Sequence, residues 1–350
     1  DLPLLLSDYH LVIQPGGGYD NPNAGIGTGP FKIDNFEAGV RATFVKNEND
    51  WRTDRGFVDS VEMIVMNDAT ARMAALSSGQ VHFISRVDPK TVGLLKRAPN
   101  VEIQTTSGRG HYVFIMHCNT APFDNNDLRL ALKYAMDRET MVEKILGGYG
   151  KVGNDFPINE TYALFPESIE QRTYDPDKAA FHFKKSGHDG SVLLRTSDVA
   201  FPGAVDAAVL YQETAKKAGI DIEIKREPGD GYWSNVWNVQ PFSTSYWGGR
   251  PTQDQMYSTA YLSTADWNDT RFLNTDFDKI LLEARAELDQ AKRKEMYHDM
   301  ALMVRDTGGL ILPMFNDFVN ATTTNVSGFV DDIGNDMSNG FVASRLWINS

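Results

Sequence analysis

SVLLRTSDVAFPGAVDAAVLYQETAKKAGIDIEIKRE, residues 191–227, sets two short apolar stretches on either side of one helical period. SVLLRT (191–196) and IDIEIKRE (220–227) have the β-branched, alternating character of strands. The residues between them, about 203–218, read as a helix that Gly219 stops. A strand, a helix and a second strand of these lengths bring the two strands side by side in parallel, joined by a right-handed crossover. This stretch places the chain among α/β proteins and marks a separate α/β lobe.

Upstream, VEIQTTSGRGHYVFIMHC (101–118) reads as a strand, a Gly-containing turn and a longer strand. PFDNNDLRLALKYAMDRETMVEKIL (122–146) follows with a strong helical period, Leu128, Leu132, Ala135, Met136, Val142 and Ile145 falling on one side before Gly147 and Gly148 end it. The first ninety residues are short strands and turns, including FKIDNF (31–36), VRATFVKN (40–47) and the buried-strand run VEMIVM (61–66). Asp68 and Thr70 can cap a helix over TARMAALSSG. Downstream, 276–306 reads as one long amphipathic helix or a pair, and GLILPMFNDFV returns to strand character. The tail resembles the opening segment more than the middle. The expected organisation is therefore a discontinuous lobe of residues 1–104 plus 313–350 and a second α/β lobe of residues 105–312.

A chain of 350 residues, 41% hydrophobic and 23% charged, is long enough for two or three cores. Its formal net charge of −13 repels nucleic acid and anionic membrane surface, and no Lys/Arg cluster opposes that trend locally, so nucleic acid is not an expected partner. No stretch approaches the ~18 to 20 consecutive apolar residues of a membrane span. The single cysteine, Cys118, excludes an internal disulfide and a Cys-based metal cage.

Catalytic and cofactor signals are weak. Gly25-Ile26-Gly27-Thr28-Gly29 is followed by Pro30 and a strand pattern, with no Gly-Lys-Ser/Thr, so it reads as a structural turn and not a phosphate loop. His111 and His117 share a strand face but lie ~20 Å apart at ~3.3 Å per residue, too far to share an ion. There is no HExxH and no G-x-S-x-G, and no cofactor or metal is expected. The four N-x-S/T sites at Asn159, Asn268, Asn320 and Asn325 carry no assigned function.

Residues 231–257, GYWSNVWNVQPFSTSYWGGRPTQDQMY, differ in quality. Trp233, Trp237, Tyr246 and Trp247 fall in a setting broken by Pro241, Gly248, Gly249 and Pro251, which is poor core material and good wall material for a small-molecule site. Gly248 and Gly249 let backbone approach a ligand, Arg250 can fork onto a carboxylate or phosphate, and Asp254 can receive an ammonium or hydroxyl. Trp267 is assigned to the same ligand-binding set. The competing reading packs the tryptophans between layers and pairs Arg250 with a nearby carboxylate.

TGPFKI (28–33), NDATARMAALSSGQVHFI (67–84), PFDNNDLRLALKYAMDRE (122–139), YDPDKAAFHFKKSG (174–187) and LPMF (312–315) are colinear landmarks. Together they resemble the peptide/nickel-type, family 5, extracellular solute-binding proteins of ABC importers. The resemblance implies a two-lobed, hinged periplasmic-binding-protein-like (type II) α/β fold that closes over a peptide or peptide-like solute. It also implies an ABC permease as partner, a periplasmic or extracytoplasmic location, a monomer, and no enzymatic activity. Family members usually carry about a further third of sequence upstream, so the first lobe is expected to be incomplete at its N-terminus. In peptide-binding members the loop matching Tyr246–Arg250 often carries an aspartate for the peptide's amino group. Here Gly248, Gly249 and Arg250 stand in its place, which implies a solute with a carboxylate or phosphate, such as an opine, a sugar-phosphate conjugate or an acidic peptide. Two other functions fit the residues: a hydrolase using Asp230 and Asp254 as an acid/base pair, and a ligand-sensing interaction module.

Overall fold

The computed structural model describes all residues except Tyr9, Pro22 and Ser350. In chain order the strands are Phe31–Glu37 (β1), Arg41–Lys46 (β2), Ser60–Ile64 (β3), Phe83–Ile84 (β4), Val101–Met116 (β5), Gly150–Val152 (β6), Val192–Thr196 (β7), Ile222–Arg226 (β8), Phe242–Trp247 (β9), Leu310–Thr323 (β10), Val326–Ser327 (β11) and Trp347–Ile348 (β12). Two units divide the chain: Asp1 with Ser107–Asp317, and Leu2–Thr106 with Phe318–Ser350.

In the Ser107–Asp317 unit the sheet runs in the order β6, β10, β5, β9, β7, β8. β7 and β8 are parallel, with Val192 beside Ile222 and Leu194 beside Ile224, as the opening stretch requires. The helix between them, Ala204–Lys216, turns Ala204, Ala207, Ala208, Tyr211 and Ala215 inward onto Val192, Leu194 and Ile222. Small residues on that face let the helix lie close to the strands, and Tyr211 uses its hydroxyl to donate to the Leu132 carbonyl at 2.8 Å. β5 explains why YVFIM is apolar throughout. Phe114 and Met116 enter one core, Val113 and Ile115 the other, so period-2 alternation serves two covered faces and leaves no polar side. Each fully buried side chain of this size contributes about 1.5–3 kcal/mol.

Two elements differ from the sequence reading. Residues 101–116 form one continuous strand, not two strands and a turn. Gly108 stays in the extended chain, its carbonyl accepting from Asn159 Nδ2 at 2.9 Å, and no reversal occurs at the glycines. The helical period at 122–146 breaks into Asn126–Tyr134 and Arg138–Lys144. Asp137 causes the break by capping the second helix, its carboxylate accepting from Thr140 N at 3.0 Å and Thr140 Oγ1 at 2.8 Å. The downstream helical stretch resolves as the pair Thr275–Ala286 and Gln290–Thr307, the second capped by Asp289.

A buried ionic hub joins these pieces. Asp155 accepts from Arg138 Nη2 at 2.7 Å, Arg172 Nη1 at 2.9 Å and the Leu312 backbone N–H at 3.0 Å. Beside it, Lys133 donates to the carbonyls of Arg305 at 2.7 Å and Gly308 at 2.8 Å, closing the C-terminus of the Gln290–Thr307 helix.

The other unit holds an antiparallel sheet in the order β1, β2, β3. The helix Ala69–Ser77 is capped by Asp68, which accepts from Ala71 N at 2.7 Å. β4 pairs with the distal part of β10 through Ala321 and Ile84. Of residues 31–64 only Ala42 and Gly56 are buried.

Candidate functional site

The aromatic segment is ordered and not loop-like. β9 lies antiparallel to β5, with Trp247 opposite His111 and Tyr246 opposite Tyr112. Just before it, Gly231 takes φ +73° to open the one-turn helix Tyr232–Asn235, a conformation that favours glycine. Tyr232 is buried and donates its hydroxyl to the Thr244 carbonyl at 2.7 Å, which fixes Trp233 next to the end of β9.

The tryptophans then form a chain of edge-on contacts. Trp233 meets Tyr246 at 5.5 Å and Trp237 at 6.3 Å between ring centres; Trp237 meets Trp247 at 6.5 Å and Trp267 at 6.1 Å; Trp247 meets Trp267 at 6.1 Å. T-shaped pairs of this kind contribute roughly 0.5–1.5 kcal/mol beyond area burial. The wall is graded in exposure: Trp247 is 4% exposed, whereas Trp233 and Trp267 reach 40% and 46%. Trp233 and Trp267 thus leave part of their rings open to solvent beside the buried Trp247 ring.

Arg250 sits at the inner edge. It is 5% exposed, its Nη1 donates to the Gly249 carbonyl at 3.0 Å, and its guanidinium lies 5.8 Å from the centre of the Trp247 ring. Among the described residues no carboxylate lies within ion-pair distance of it. Its backbone N–H donates to the Tyr162 hydroxyl at 3.1 Å. Arg109 clamps the loop from below, donating to the Arg250 carbonyl at 2.8 Å, the Pro251 carbonyl at 3.1 Å and the Thr161 carbonyl at 2.9 Å, with its guanidinium 4.2 Å from the Tyr162 ring centre. His111 adds a neutral neighbour. Burial, with the Arg250 charge, lowers its pKa to about 4, and its Nδ1 donates to the Arg109 carbonyl at 3.0 Å.

Trp233, Trp237, Tyr246, Trp247 and Trp267 are thus brought together, with Gly248, Gly249 and Arg250 at one end. Asp254 is not part of the group. It occupies the first turn of the Gln253–Ala260 helix and binds Arg285 Nε at 3.1 Å, so its carboxylate is committed to a structural pair. The same pairing removes it as the acid/base partner of Asp230, which stands exposed.

The sequence reading missed Arg109, Tyr162 and above all Asp269. Asp269 is 1% exposed, and its Oδ2 accepts from the indole N–H of Trp237 at 2.9 Å and of Trp247 at 3.0 Å. Burial raises its pKa to about 7 against the lowering effect of those two donors. Its one sequence signal was an acid two residues after Trp267.

A family model described as bacterial extracellular solute-binding proteins, family 5 middle, matches residues 2–269. The di/tripeptide-binding protein 1 of Pseudomonas aeruginosa is 25% identical over 295 residues, 82% of this chain and 55% of that protein. The chain thus spans about half the length of the curated relatives it matches. Among solved structures, the periplasmic binding protein DppA from Helicobacter pylori with the peptide STSA matches at TM-score 0.81 and 19% identity, covering 93% of this chain and 63% of that one. AgaA from A. tumefaciens R10 with agropinic acid matches at TM-score 0.81 and 20% identity, covering 96% and 70%. These likenesses show the mixed α/β fold of type II periplasmic binding proteins.

Proposed function

The chain belongs to the family 5 bacterial extracellular solute-binding proteins, and from that premise we propose that it holds a small anionic, peptide-like solute for an ABC permease outside the cytoplasmic membrane. Arg250 carries the reading. A guanidinium 5% exposed that meets backbone carbonyls and the Trp247 ring, but no carboxylate among the described residues, lacks a counterion, and an anion would complete it. Its planar fork suits a carboxylate or phosphate. The aromatic wall beside it supplies apolar contact for the rest of the solute. Relatives with acids in their described ligands are consistent with this: AgaA is in complex with agropinic acid, and DppA with a peptide, which ends in a carboxylate. Asp254, held by Arg285, is not available as the acid/base partner of Asp230.

Calorimetric titration with opine-type acids, short acidic peptides and sugar-phosphate conjugates tests the proposal. At least one class binds saturably without product formation, and Arg250→Ala weakens it by roughly 30-fold or more, the scale of losing one partner of a buried charge pair. Affinity unchanged in Arg250→Ala overturns the anion anchor. Turnover of the bound compound overturns the binding-protein reading.

A further inference from the structure

Asp269 lies in a turn that the protein pins from several sides. Asn268, 1% exposed, donates from Nδ2 to the Phe272 carbonyl at 3.0 Å and accepts at Oδ1 from Phe272 N and from Thr270 Oγ1, both at 3.1 Å. The Thr270 carbonyl accepts from Cys118 N at 2.8 Å, just past the end of β5. Arg271, at φ +52°, reaches the Asn238 carbonyl at 2.8 Å. Everything near Asp269 is therefore held before its carboxylate acts, and one oxygen of that carboxylate takes both indole N–H groups of the inner wall.

This arrangement has a consequence for what the wall can read. Indole has a single polar handle, its N–H, and in Trp237 and Trp247 that handle is turned inward and consumed. Trp267 packs edge-on against both rings. Of the inner indoles, the partly buried Trp237 therefore presents carbon surface and π face to a solute, and the buried Trp247 backs it. We propose that Asp269 is a positioning and specificity-determining residue: by holding the Trp237 and Trp247 indoles it makes the wall select an anion whose body carries a flat, apolar face, while Arg250 reads the charge. This deepens the solute-binding reading and rests on it for the affinity experiment alone.

The hydrogen bonds to Asp269 are charge-assisted when the carboxylate is ionised and weaker when it is protonated. The charged and titratable groups facing it are few. Arg271 in its own turn favours the ionised form, Tyr261 at the end of the Gln253–Ala260 helix is held protonated by burial and by the Asp269 charge, and the β9 and Trp237 side contributes only indole N–H. His117 lies within the influence of Arg271 and stays neutral, its pKa lowered to about 4 by burial first and by that arginine second. The orientation of the two indoles is therefore sensitive to pH around neutrality.

Hippurate and N-acetylglycine, two acids that differ by a benzoyl against an acetyl group, separate the parts. The native protein binds hippurate more tightly. Asp269→Asn reduces that preference by about tenfold or more, hippurate affinity falling further than N-acetylglycine affinity; Arg250→Ala weakens both. The near-ultraviolet circular dichroism of the coupled indoles changes with a midpoint near pH 7 in the native protein and is flat in Asp269→Asn. Trp267→Ala, a change at a 46% exposed side chain, also lowers the hippurate preference and guards against a folding defect in the aspartate variant. A native dichroism spectrum invariant between pH 5.5 and 8.5, or an Asp269→Asn protein that keeps both the benzoyl preference and the pH transition, overturns the proposal. If neither acid binds the native protein, the titrations with opine-type acids, acidic peptides and sugar-phosphate conjugates decide the anion-binding reading, and the dichroism titration alone decides the role of Asp269.

Discussion

Asp269 and His111 act on stability in opposite directions. The Asp269 carboxyl, raised by burial to about 7 from 3.8, keeps a proton in the native state that the unfolded chain releases. Its stabilising contribution is full below pH 4 and is lost as pH rises through 7. His111, lowered by burial to about 4 from 6.5, refuses a proton that the unfolded chain takes; its contribution is full above pH 6.5 and is lost as pH falls through 4. At 1.36 kcal/mol per unit, replacing Asp269 by Asn shifts the stability difference from the parent by up to roughly 4 kcal/mol in favour of the variant between pH 4 and pH 8. Urea melts of both proteins at the two pH values check this, and a constant difference would mean that the carboxyl titrates normally. Replacing His111 by Phe removes the part of the acid sensitivity between pH 6.5 and 4 that belongs to this ring. A variant that gains stability relative to the parent as pH rises, yet is less selective, is the trade that the proposed role of Asp269 predicts. The aromatic cluster at 233–247 was legible in the chain because its residues are near neighbours. Asp269 was not, since it follows Trp247 by more than twenty positions and only folding sets it between two indoles.

Single elements owe their boundaries to side chains that local periodicity does not report. The apolar rhythm of residues 122–146 continues across the break at Asp137, because both helices bury their inner faces in the same core. The capping carboxylate, not the hydrophobic pattern, decides that there are two helices. Asp155 plays the corresponding part between elements. It lies on the segment after β6 and joins the Arg138–Lys144 helix, the Arg172 segment and β10. Asp155→Ala leaves Arg138 with backbone carbonyls alone, leaves Arg172 with Asp306 as its remaining carboxylate and orphans one backbone N–H, and is expected to destabilise by about 3–5 kcal/mol in urea unfolding. A loss under 1 kcal/mol would show that the arginines find other partners. The parallel pair β7 and β8 needed no such help, since strand, helix and strand follow each other within one crossover.

The units differ in how much core they own. Both large hydrophobic clusters belong to the Ser107–Asp317 unit. In the other, Phe36 of β1 is 68% exposed and Trp51 in the β2–β3 connection 80%, and β1 buries none of its side chains fully. Burial is the main favourable term in folding, so unfolding is expected in two steps, residues 31–64 yielding first. Limited proteolysis with mass spectrometry should find the first cuts there, ahead of any within 192–226; cuts in the reverse order would refute the ranking. By itself the sequence determined the α/β class, the family, the crossover at 191–227 and the presence of an aromatic segment next to a basic residue. These rest on spacing within one element or on colinear landmarks, which survive without knowledge of distant contacts. Only the tertiary structure decided that Asp254 belongs to Arg285, that Arg250 has no carboxylate partner among the described residues, and that Asp269 accepts from the indoles of Trp237 and Trp247. Each of those outcomes depends on which side chains meet across distant parts of the chain, and burial then sets the cost of leaving any of them unpaired.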